Sequence, residues 1–116
     1  MRGVICDMLE SLQNLLKEYK EELFDIYGEH LKAVILYGSY ARGDFTDDSD
    51  IDIMLLLDLT DMDIKKYRHQ LSELTYDFNM EQNIDIKPIA KSEQHFKKWM
   101  HVYPFYRNIR EEGVEL

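Results

Sequence analysis

Two short apolar runs separated by a polar loop constrain this chain more than any other feature. The first spans Leu31–Tyr37 and is broken only by Lys32; the second, Asp50–Leu57, opens on two aspartates and ends Ile53-Met54-Leu55-Leu56-Leu57. Runs this short and apolar read as buried strands, and neither is long enough to span a bilayer. The segment between them begins with Gly38-Ser39, carries a second glycine at Gly43 and leads into Asp50-Ile51-Asp52. In a strand, alternate side chains share a face, so Asp50 and Asp52 project side by side. Two carboxylates held together repel each other and resist desolvation unless a cation lies between them. Adjacent carboxylate oxygens suit Mg²⁺, which completes its octahedron with water and phosphate oxygens. Glycine at 38 lets backbone approach a ligand closely, and a helical turn at Ser39–Arg42 offers free N–H groups to phosphate. The stretch reads as a phosphate cradle facing a metal clamp.

The rest of the chain supplies helices to cover these strands. Residues 4–27 read as an amphipathic helix, with Ile5, Met8, Leu12, Leu15, Tyr19, Leu23 and Ile26 on one stripe and Gly28 placed to end it. Thr60 caps a second helix, with Asp61 and Asp63 in its first turn. Its stripe of Ile64, Tyr67, Leu71, Leu74 and Phe78 predicts a helix to about Glu81. Residues 84–89 alternate apolar and polar as a third strand, in which Pro88 implies an edge position or a strand end. Ser92 caps another helix carrying Phe96, Trp99 and Met100, Tyr103-Pro104 breaks it, and a last short helix ends at Gly113. This order predicts an α/β (α+β) class: a small mixed sheet flanked by helices, one domain over residues 1–116.

Asp85 is flanked by Ile84 and Ile86 in the third strand. Alone it would be an ordinary solvent-facing acid. Beside a metal-binding pair it becomes the third carboxylate that a two-metal site uses to hold one ion and take the proton of an attacking hydroxyl. Asp44, Asp47 and Asp48 read as turn residues, and Asp58, Asp61 and Asp63 as strand-end and cap residues. The balance of 23 acidic against 14 basic side chains gives a formal charge of −9. That disfavours autonomous nucleic-acid binding and suits a basic protein partner. Cys6 is the single cysteine, so no intrachain disulfide forms and a reducing cytoplasm is expected. Asp7 and Glu10 come too early for a signal peptide. His30, His69, His95 and His101 lack the spacing and cysteine neighbours of a zinc site. Trp99, Tyr103, Phe105 and Tyr106 read as core packing.

Gly38-Ser39, ten intervening residues and Asp50-Ile51-Asp52 resemble the signature of the DNA-polymerase-β-like nucleotidyltransferases. The fuller string Gly-Ser-Tyr-Ala-Arg-Gly, followed by Ser-Asp-Ile-Asp, is similar to the minimal nucleotidyltransferases, the MNT antitoxin partners of HEPN-domain ribonuclease toxins. The resemblance covers nearly the whole chain, including the acid before Pro88 and the ending Phe105-Tyr106-Arg107-Asn108-Ile109. It implies a nucleotidyltransferase fold using ATP and two Mg²⁺ ions. Gly38 and Ser39 would hold the β- and γ-phosphates, with Arg42 adding a cation there. Asp50 and Asp52 would ligate both ions, and Asp85 would bind one and activate the acceptor oxygen. In such antitoxins the acceptor is a tyrosine hydroxyl of the toxin, so the implied partner is a HEPN ribonuclease in a hetero-oligomer, with no direct nucleic-acid or membrane contact.

Two other functions remain open on the sequence. One is transfer to a small molecule, as in the aminoglycoside nucleotidyltransferases, although those carry an extra helical domain for the acceptor. The other is an antitoxin that neutralises by masking alone, its site retained but idle.

Overall fold

The structure, a computed structural model, describes residues 10–116. Helix α1 (Glu10–Tyr27) ends in a 3₁₀ turn, Gly28–His30, which Gly28 enters at φ 58°. Strand β1 (Leu31–Tyr37) follows, then the single turn α2 (Ser39–Arg42), a loop, and β2 (Ile51–Leu57). Two helices, α3 (Asp61–Lys66) and α4 (Arg68–Gln82), cross to β3 (Ile86–Ser92). Helices α5 (Glu93–Trp99) and α6 (Pro104–Glu112) lead to a short strand β4 (Val114–Glu115).

The sheet order is β3-β2-β1-β4. β1 runs antiparallel to both β2 and β4, whereas β2 and β3 are parallel and joined by the helical crossover that parallel strands require. Both faces are covered. On one, Leu16, Tyr19, Leu23 and Tyr27 of α1 and Leu71 and Phe78 of α4 pack on Val34, Leu36, Ile53, Leu55 and Ile86. On the other, Phe96, Tyr106 and Ile109 pack on Ile35, Met54 and Leu56. This double burial is why the two central strands are nearly continuous apolar runs. The mixed α/β class is as expected from the sequence, and Pro88 does lie on an edge strand.

Four local expectations change. Ile5, Met8 and Cys6 lie outside the described residues, and the buried arc of α1 is rotated to Leu16, Tyr19, Leu23 and Tyr27, with Leu12, Leu15 and Ile26 flanking it. Two tyrosines can be buried because they find partners: Tyr19 Oη lies 2.7 Å from Thr75 Oγ1 of α4, and the Tyr27 ring sits 5.1 Å from that of Tyr67. Burial pushes the Tyr19 hydroxyl up to about 12. The helix after Thr60 is two helices. Its chain tightens at Tyr67, whose N–H donates to the Ile64 carbonyl at 3.1 Å in an i→i−3 bond. Asp50 and Asp85 each precede their strand by one residue rather than standing within it. Finally β4 is new: Gly113 ends α6 and Val114 pairs with Leu36.

Candidate active site

The register of three strands assembles the carboxylates. Tyr37, the last residue of β1, lies opposite Asp52 on β2. Across the parallel pair, Ile51 is level with Ile86 and Asp52 with Lys87, and the Ile51 N–H donates to the Asp85 carbonyl at 2.9 Å. One step back, Asp50 therefore stands beside Asp85. Residues level across a sheet share a face and lie on strands about 4.8 Å apart. Asp50, Asp52, Asp85 and Lys87 thus form one patch at the end of the sheet, on the face covered further along by α5 and α6.

The electrostatics follow from this crowding. Asp50 is held above the usual carboxylate range, first by its hydrogen bond to Asp85, then by desolvation and the charge of Asp85, with Lys87 opposing. Asp52 is raised too, first by burial and then by the charge of Asp50, while Arg42 pulls it down. Lys87 Nζ lies 3.4 Å from Asp85 Oδ1. Asp50 is thus shared by two acidic neighbours. Among the described residues no three His, Cys, Asp or Glu side chains already form a metal-ligand set. The carboxylates instead come as two pairs meeting at Asp50. That donor set fits Mg²⁺, which takes one or two carboxylates and completes its shell with phosphate and water. Burial and the mutual repulsion of the carboxylates outweigh the nearby cations Lys87 and Arg42 and raise the affinity of Asp50 and Asp52 for protons.

On the other side of Asp52 the chain bends sharply. Gly38 adopts φ 76° and ψ −153°, a region open in practice only to glycine. A Cβ at this position would also collide with the Asp52 carboxylate oxygen Oδ2. Gly38 is therefore required twice over, by its torsion and by its close approach to the acid. A second glycine, Gly43, closes α2 in the left-handed conformation at φ 85°.

Gly38, Ser39, Arg42 and Asp52 line a cavity of about 400 Å³, whose opposite wall is Phe105, Asn108, Ile109 and Glu112 of α6. Arg42 reaches Asp44 through Nε at 3.4 Å and Glu112 through Nη1 at 3.7 Å, which steadies its guanidinium at the cavity. The Tyr37 ring meets Phe105 edge-on at 5.7 Å, and burial together with Asp52 pushes its hydroxyl up to about 12.

All six residues singled out in the sequence therefore converge. Gly38, Ser39 and Arg42 lie with Asp52 at the cavity, while Asp50 connects Asp52 to Asp85. Two contributions were missed. Lys87 was readable in principle, since it has the same strand parity as Asp85. The α6 wall carried no such signal: Phe105 was read as core packing, yet it is 45% exposed and faces the cavity. Tyr106 and Phe96, by contrast, are core.

Residues 10–101 match the model of the family described as "Polymerase beta, Nucleotidyltransferase", and the chain belongs to that family. It is 36% identical over 101 residues to "Putative protein adenylyltransferase MJ0604" of Methanocaldococcus jannaschii, covering 87% of this chain and 93% of that one. To "Protein adenylyltransferase MntA" of Thermococcus cleftensis it is 28% identical over 81 residues, covering 66% and 80% of the two chains. Its fold is similar to a crystal structure of a toxin–antitoxin with AMP-PNP, with a TM-score of 0.52 at 17% identity over 85% of this chain and 70% of that one. No helix of the described residues is long and apolar enough to cross a membrane.

Proposed function

We propose that this chain is a Mg²⁺-dependent protein adenylyltransferase acting as an antitoxin, which moves AMP from ATP to a tyrosine hydroxyl of a HEPN-domain ribonuclease toxin. One observation carries the reading: Asp50 joins Asp52, which borders the Gly38–Ser39 cavity, to Asp85 just before the neighbouring strand. Relatives named as protein adenylyltransferases support the choice of reaction, and the toxin–antitoxin neighbour supports the kind of partner.

In this scheme the Ser39 hydroxyl and the close backbone at Gly38 receive the terminal phosphates, and the Arg42 guanidinium offsets their charge. Asp50, Asp52 and Asp85 would hold two Mg²⁺ ions, which when bound neutralise charge on the entering and leaving oxygens. Asp85 accepts the proton of the tyrosine hydroxyl. The hydroxyl oxygen forms a bond to the α-phosphorus, the bond from that phosphorus to the bridging oxygen breaks, and its electron pair leaves with pyrophosphate. Phe105 and Tyr37 give the cavity an apolar wall against which the nucleoside can be held. Positioning and charge neutralisation supply most of the acceleration in such displacements.

The test is intact mass. The chain is incubated with ATP, Mg²⁺ and the product of the neighbouring gene, and the partner is expected to gain one AMP. A stable complex without an adduct would replace this reading with neutralisation by masking. Transfer to an aminoglycoside but not to the partner would favour the small-molecule reaction.

A further inference from the structure

Two cations border the carboxylate patch, and they are tied differently. Arg42, on the Gly38 side, is held by Asp44 and Glu112, both outside the patch. Lys87, on the β3 side, has a single ionic partner among the described residues, Asp85, which belongs to the patch itself. We propose that Lys87 is a tethered counter-ion that stands in for a metal ion at Asp85, and that the phosphates of the incoming nucleotide draw it off and so admit the ion. The proposal rests on the adenylyl-transfer reading above and adds how metal and nucleotide binding are coupled at that site.

The placement follows from strand parity. Ile86 packs into the α1–α4 layer, whereas Ile89, and with it Lys87 and Asp85, belongs to the opposite face. Lys87 is level with Asp52 on the adjoining strand, a register held by the bond from the Ile51 N–H to the Asp85 carbonyl. Adjacent strands lie about 4.8 Å apart, less than the reach of an extended lysine side chain. The ammonium can therefore move between Asp85 and the space over Asp52 with no change of backbone. Its Nζ stands 3.4 Å from Asp85 Oδ1, and its charge also lowers the proton affinity of Asp50.

A lysine on an edge strand often serves only to keep other strands away. Here that task is already met by other groups. The Asn79 side chain donates to the Ile86 carbonyl at 3.2 Å and accepts from its N–H at 2.9 Å, and Pro88 offers no N–H. Lys91 has the same parity as Lys87 but is level with Leu56, about 13 Å further along the strand. It supplies a lysine of the same strand and face that lacks the acids.

The tether is weak enough to yield. The Lys87 and Asp85 side chains are 57% and 55% exposed, and ion pairs so open to water are held loosely. An ammonium and a divalent ion cannot share Asp85 without repulsion, which at a few ångströms in water-like surroundings lowers metal affinity by about tenfold. A triphosphate beside Asp52, in the cavity lined by Gly38 and Ser39, carries more negative charge than one carboxylate. It attracts the ammonium, and no second partner among the described residues holds Lys87 back. Asp85 is then free for the ion. Metal and nucleotide thus bind with positive coupling, each tightening the other by the same factor.

The test reads metal binding without turnover. Mn²⁺, a paramagnetic probe suited to oxygen ligands, is titrated into the full chain by electron paramagnetic resonance. The titration is done alone and with an ATP analogue whose α–β bridging oxygen is replaced by methylene. Without nucleotide, Lys87→Met and Lys87→Gln should each bind Mn²⁺ about tenfold more tightly than the parent. With the analogue bound, all three should bind it equally, so the coupling shrinks by about tenfold in the variants. Lys91→Met, which removes the same charge further along β3, should match the parent in both states. A gain of equal size with and without the analogue would reveal a fixed charge that never leaves, and overturns the proposal. So does unchanged affinity in both Lys87 variants, or a gain in Lys91→Met as large as theirs. A parent that bound no Mn²⁺ even with the analogue would bring down the transfer reading as well. An AMP adduct on the partner together with indifferent Lys87 variants would sink this inference alone.

Discussion

Two cavities, one bordering the carboxylate patch at Asp52 and one against the α3–α4 side of β3, are built differently. The cavity of about 400 Å³ beyond β1 is organised by backbone: Gly38 at φ 76°, pressed against Asp52, leads directly into the Ser39–Arg42 turn. The groove of about 570 Å³ beyond β3 is organised by side chains from α3 and α4 and by an edge strand whose outward groups Asn79 satisfies. A site for triphosphate needs fixed backbone and a guanidinium in one geometry, because the nucleotide is always the same. On the proposed function, the backbone-built cavity at Gly38 should be intolerant of substitution, whereas the side-chain-built groove should be adjustable.

The comparison is tested most severely at its centre. Asp52→Asn should lower transfer by about a thousandfold, since it removes the carboxylate that would hold an ion beside the Gly38–Ser39 cavity. Single-turnover assays that found transfer within tenfold of the parent would argue strongly against the two-ion scheme. Asp85→Asn should lower kcat by about a hundredfold while nucleotide affinity is largely kept. The reverse pattern would mean that Asp85 holds nucleotide and does not accept the proton.

Smaller effects separate the two sides. Gly38→Ala should cost about 1–3 kcal/mol of stability from the strained torsion and the collision with Asp52. It should also weaken nucleotide binding. Calorimetry and a thermal melt read these together, and parent-like stability would mean that the bend relaxes without loss. The subtlest test is pH. Asp50 and Asp52 hold protons more tightly when folded than when unfolded. Their contribution to stability is therefore fully present below the ordinary carboxylate range and is lost as pH rises through their raised values. Comparing melting temperatures of the parent and Asp50→Asn across that window isolates the effect from Asp58 and Asp63, which are shifted the opposite way by His30 and Lys66. The variant should gain on the parent as pH rises without Mg²⁺, and that gain should shrink when Mg²⁺ is added. A constant difference would mean that the patch is not under charge strain.

Much of this was legible in local sequence because the chemistry itself is local. Gly38-Ser39 and Asp50-Ile51-Asp52 lie within one strand–loop–strand unit, where period-two alternation and glycine's torsional freedom determine which atoms face which. The caps at Thr60 and Ser92, the stop at Gly113 and the edge position implied by Pro88 are likewise short-range steric or hydrogen-bonding facts. Tertiary structure alone decided the rest. It set the register that brings Asp85 to Asp50 and Lys87 level with Asp52, and it rotated α1 so that Tyr19 meets Thr75. It also laid α6 over the cavity and paired β4 with β1. These outcomes depend on packing between segments far apart in the chain, where many arrangements bury similar apolar area and only the assembled sheet selects one.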